Sequence, residues 1–135
     1  MYLLGTSAVL AFYQDEPSAG LVQELFERRD KGDVVLLMSY MRVFELLYLC
    51  ISRRGLEDAF SLLLTARTLG IEELWPDDDL LWETAQLKSE GGLSAADAFI
   101  AAGALIRNAT LVHKDPQFDR LSSTVSSLKL RNLPG

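Results

Sequence analysis

The sequence predicts an α/β fold, a three-layer α/β/α sandwich around a mostly parallel five-stranded sheet. Three observations carry this expectation. Short apolar runs alternate with longer amphipathic segments along the 135 residues. Strands separated by helices imply right-handed crossovers and parallel neighbours. Residues 34–38 are apolar throughout, the pattern of a strand covered on both faces.

Taken in order, residues 1–4 read as a first strand and 7–14 as a short helix ending near Pro17. Residues 18–31 form a helix, with Leu21, Val22, Leu25 and Phe26 at helical spacing and Gly32 as its stop. After the strand at 34–38, Ser39 is placed to cap a long helix that runs to Arg54 and ends at Gly55. A helix over 56–69 closes at Gly70, and 71–75 is a short third strand. Residues 77–89 form a helix whose first turn carries acids, favourable to its dipole. An alanine-rich helix spans 94–108, followed by a fourth strand at 110–113, a helical turn at 116–121 and a fifth strand at 124–130. No repeat, low-complexity tract or linker interrupts the pattern, so one domain over 1–135 is expected.

Composition narrows the function. Thirteen basic and 19 acidic residues give a net charge of −6, which argues against gripping nucleic acid by bulk electrostatics alone. Approach to phosphate through bound cations stays open, because acids then serve as metal ligands. The one cysteine, Cys50, allows no internal disulfide and suits a reducing cytoplasm. The apolar start lacks the basic residues of a signal peptide, and no run reaches the roughly 18–20 apolar residues that span a bilayer. There is no glycine-rich phosphate loop, CxxC pair or HExxH.

Three acids stand in apolar settings. Asp97 opens the nearly uncharged helix Leu93-Ser94-Ala95-Ala96-Asp97-Ala98-Phe99-Ile100. A buried carboxylate needs a cation, a donor or a metal ion as partner. The spacing Ser94-x-x-Asp97 also fits a capping box, and the two roles are compatible. Glu45 lies in mid-helix between Phe44 and Leu46, where no cap is needed, with Arg42 at i−3 as an ordinary ion-pair alternative. Asp115 follows the apolar run Thr110-Leu111-Val112 and precedes Pro116, so it reads either as a cap or as a site acid, with Asp119 one turn later. Brought together, Glu45, Asp97 and Asp115 would make an oxygen-rich site for a hard divalent cation. His113 and Cys50 read as packing residues, Trp75 and Trp82 as core or partial surface cover, and Asp77-Asp78-Asp79 as a charged helix start.

The segments MYLLGTSAVLAF, MSYMRVFELLYL, LSAADAFIAAGAL and TLVHKDPQFDRL, in this order, resemble the PIN-domain ribonucleases, most of all the VapC-type toxins of toxin–antitoxin pairs. The resemblance covers essentially the whole chain. It implies phosphodiester hydrolysis of RNA with Mg²⁺ or Mn²⁺, a small antitoxin laid across the active-site groove, and frequent homodimers. It assigns Glu45, Asp97 and Asp115 to three of the family's acidic positions and Asp119 to an additional one, with Thr6 and Ser7 beside the metal. Tyr40, Phe44 and Tyr48 are candidates for the groove, or else core.

The departure is the first acidic position. The family pattern reads Leu-Leu-Asp-Thr-Ser, and here Leu4 is followed by Gly5-Thr6-Ser7. The resemblance therefore implies a nuclease impaired by the loss of one metal-binding acid. Retention of the other acids favours a replacement that disarms the enzyme over general drift. The alternative is a non-catalytic module that keeps the fold and binds RNA or protein.

Overall fold

A computed structural model describes residues 1–5, 19–113 and 127–129, the side chains of 19, 21, 22 and 127–129 excepted. Its elements are β1 (Tyr2–Leu4), α1 (Ala19–Asp30), β2 (Leu36–Ser39), α2 (Tyr40–Arg54), α3 (Leu56–Thr68), β3 (Glu72–Leu74), α4 (Asp78–Ser89), α5 (Ala95–Ile106), β4 (Thr110–His113) and β5 (Ser127–Lys129). The helix expected at 7–14 and the turn at 116–121 lie outside the described residues.

The five strands form one sheet in the order β3-β2-β1-β4-β5, and each pairing is parallel. β1 is central: Tyr2 is in register with Leu36 on one side and Thr110 on the other. Alternation along the strands sends side chains to opposite faces. Leu3, Leu37 and Leu111 pack on one face with Leu80 and Leu87 of α4 and Ala98, Ile100 and Ala101 of α5. Leu4, Leu36, Met38 and Val112 pack on the other with Leu25 of α1 and Val43 and Leu46 of α2. Helices on both faces of a parallel sheet are the three layers that the sequence predicts. Each fully buried leucine contributes roughly 1.5–3 kcal/mol to holding them together.

Helix boundaries follow local chemistry. Ser39 Oγ accepts from Met41 N at 3.3 Å to start α2, and Gly55 ends it at φ 95°, a conformation that suits glycine. Asp77 Oδ1 accepts from Leu80 N at 2.8 Å, so the first of the three consecutive acids is a helix cap. Ser94 caps α5. The small residues of α5 let it lie close to the sheet. A Cβ added at Gly103 would sit 3.4 Å from both Leu3 Cδ1 and Leu74 Cδ1.

Some expectations need correcting. The second strand begins at Leu36, and Val35, which precedes it, is exposed. Cys50 is half-buried rather than core: the buried residues of α2, Val43 and Leu46, both precede it, and the last two turns contribute none. Of the two readings given for Trp75 and Trp82, core or partial surface cover, exposures of 58% and 71% favour surface cover.

Candidate functional site

The carboxyl edge of the sheet collects the candidate residues. Ser39 closes β2 and caps α2, so Glu45 rises from this edge within the second turn of α2. Helix α5 leads into β4 and therefore runs opposite to the strands, which puts its N-terminus and Asp97 at the same edge. Gly5 directly follows β1; it is buried and donates its N–H to Val112 O at 2.9 Å. The strand order reverses between β1 and β4, because the chain builds outward through β2 and β3 on one side and through β5 on the other. Open α/β sheets bind ligands outside the carboxyl ends of the strands at such a reversal.

Glu45 and Asp97, far apart in sequence, meet on one guanidinium. Arg42 Nη1 donates to Glu45 Oε2 at 2.7 Å, and Arg42 Nη2 lies 3.6 Å from Asp97 Oδ1. The side chains are sheltered: Arg42 and Asp97 are each 11% exposed and Glu45 20%. Asp97 N also donates to Ser94 Oγ at 3.1 Å, so the residue belongs to a helix cap and to the acidic pair at once. The Arg42–Glu45 pairing weighed from the i−3 spacing is present. The Arg42 contact with Asp97 was not visible in the sequence, since it joins two helices.

The donor chemistry suits a hard divalent cation, and Glu45 and Asp97 would hold it through carboxylate oxygens. Gly5 brings no side-chain donor. Among the described residues, no group of three or more His, Cys, Asp or Glu is placed to hold a metal ion. Asp115, Asp119, Thr6 and Ser7 lie outside the described residues. His113 is fully buried at the end of β4, as its apolar context predicts.

The aromatic candidates separate. Tyr40 packs inward, stacked on Trp75 at 6.3 Å and edge-on to Phe99 at 5.4 Å, and burial raises the pKa of its hydroxyl. Phe44 and Tyr48 pair with each other at 5.4 Å on the exposed side of α2.

A parallel α/β sheet with acids gathered at its reversal point is a fold shared by many proteins, and comparison with known families narrows it. The family model for the PIN domain matches residues 2–123, and the chain belongs to that family. Solved structures agree in fold. VapBC2 from Rickettsia felis, bound to a DNA fragment from its promoter, is 20% identical at a TM-score of 0.77, covering 96% of this chain and 98% of its own. A toxin–antitoxin complex from Klebsiella pneumoniae is 13% identical at a TM-score of 0.75, with 98% and 100% covered. VapC20 from Mycobacterium tuberculosis, a toxin that cleaves the sarcin–ricin loop, is 15% identical at a TM-score of 0.67, with 96% and 99% covered. Comparison with curated proteins gives no match. Among the described residues, no helix is long and apolar enough to cross a membrane.

Proposed function

We propose that this chain is a toxin-type PIN ribonuclease, dependent on Mg²⁺ or Mn²⁺ and impaired by Gly5. The observation that carries the reading is the meeting of Glu45 and Asp97 on Arg42 at the carboxyl edge that also holds Gly5. Structurally similar proteins include a toxin–antitoxin complex and a toxin that cleaves RNA, which supports the same class of activity here.

The residues have distinct tasks in this reading. Asp97 is held in the first turn of α5, where the N-terminal dipole favours an ionised carboxylate. Glu45 is fixed by α2, and Asp115 and Asp119 complete the acidic set. Thr6 and Ser7 orient water or phosphate. These carboxylate oxygens would hold Mg²⁺ or Mn²⁺, which would supply activation of water and stabilisation of charge at the phosphate. With glycine at position 5, one anionic ligand is missing, so metal affinity and turnover fall while the sheet is retained.

The partner is a small antitoxin, and the exposed Phe44–Tyr48 pair offers apolar surface for it. Co-expression with a neighbouring small gene product gives a stable complex; free toxin alone on chromatography contradicts this. The test of the activity is Gly5→Asp. The variant cleaves RNA when Mn²⁺ or Mg²⁺ is supplied, at least tenfold faster than the present chain. Equal rates refute the impaired-nuclease reading.

Gly5 also favours a second reading, a PIN-fold module that binds RNA or protein without cleavage. Metal titration separates the two, because such a module need not bind Mn²⁺ even after Gly5→Asp.

A further inference from the structure

We propose that Arg42 is a built-in counter-cation of the acidic centre, competing with a divalent ion for Glu45 and Asp97. The inference rests on the metal-centre reading above and concerns how this chain's own residue competes for it.

An i,i+3 pair on a solvated helix face is weak and would say little. The Arg42 contact differs in three respects. Its guanidinium spans two helices, reaching Glu45 in α2 and Asp97 in α5. The side chain is 11% exposed, so the charges are poorly screened. Among the described residues its Nε has no hydrogen-bond partner, and the group is held through its two terminal nitrogens, the ones that face the carboxylates. The guanidinium is a cation on a planar fork whose geometry matches carboxylate oxygens.

The consequence for metal is a competition. Two carboxylates and one guanidinium leave a local charge of −1 from these three groups, where the carboxylates alone carry −2. A divalent ion drawn to the same two carboxylates would compete with the guanidinium for them. The apparent affinity is then reduced by the fraction of molecules in which Arg42 has swung away. Gly5 and Arg42 act in the same direction: one removes an acid and the other neutralises one.

The experiment is Mn²⁺ titration, followed by loss of the free-ion electron paramagnetic resonance signal, on the intact chain and on Arg42→Gln. It is run both with Gly5 retained and with Gly5→Asp. Arg42→Gln binds Mn²⁺ at least tenfold more tightly in either background, and adding Glu45→Gln to it removes the gain. Equal or weaker binding by Arg42→Gln overturns the inference, as does a gain that survives Glu45→Gln. If Arg42→Gln does not fold, Arg42→Met removes the charge and keeps the apolar stem; no gain there overturns the inference too. Tighter binding can be absent while Gly5→Asp still cleaves RNA, in which case the counter-cation falls and the nuclease stands. No Mn²⁺ binding in any background sinks the metal centre and this inference with it.

Discussion

Gly103 is the point at which α5, and with it Asp97, is set against the sheet. In Gly103→Ala the new methyl lands 3.4 Å from Leu3 Cδ1 and from Leu74 Cδ1, an ordinary contact with the ends of two flexible side chains. Alanine is favoured over glycine inside a helix by about 1 kcal/mol. Burying one more methyl between two leucines adds up to about 0.8 kcal/mol if neither has to move. The expected result is a net gain of about 1 kcal/mol, which for a chain of this size raises Tm by roughly 3–5 °C. Gly103→Leu asks for three more carbons where no space is left, and overpacking of that kind costs about 1–3 kcal/mol. Urea denaturation of both variants, read by circular dichroism, gives the two signs. A loss of more than about 1 kcal/mol for Gly103→Ala would show that α5 lies closer to β1 than these distances allow, and the placement of Asp97 would fall with it.

Other expectations follow from single contacts. Ser94→Ala removes the cap of α5 and lowers stability by about 1 kcal/mol in thermal melts; no change would mean the cap is not formed. Ile100→Ala, at a fully buried position, costs about 2–5 kcal/mol by denaturant titration. Arg107 donates to Glu72 through both terminal nitrogens, at 2.8 and 3.1 Å, and these hydrogen bonds hold the Glu72 carboxyl below its usual range. The pair's contribution is present above the unfolded carboxylate's pKa of about 4.3 and is lost as pH falls through the lower folded value. Because the pair is exposed, it is worth no more than about 0.5 kcal/mol. Glu72→Gln therefore lowers stability slightly at pH 7 and matches the parent below about pH 3; a constant difference across that range would contradict the assignment.

Much of this was legible in the residues. Capping and glycine signals located α2 and α5, and the run of acids marked the start of α4, because Ser39, Gly55, Ser94 and Asp77–Asp79 act through neighbours in sequence. The apolar runs identified the strands, though their ends shifted where pairing rather than hydrophobicity sets the limit, as at Val35. Glu45 and Asp97 stood out because an acid in an apolar setting needs a reason. The contact that unites them was not legible. Arg42 advertises only its i+3 neighbour, and its reach to Asp97 depends on how α2 and α5 cross. The choice between core and surface cover for Trp75 and Trp82 was equally hidden, since surface aromatic residues carry the same letters as buried ones.

In the proposed reading, acids distant in sequence share one ion at the end of β1. Anomalous scattering from Mn²⁺-soaked crystals of Gly5→Asp is the decisive measurement. One strong peak is expected in contact with Glu45, Asp97, Asp115 and the carboxylate introduced at position 5. No peak there, or Asp115 directed away from Asp97, would contradict it.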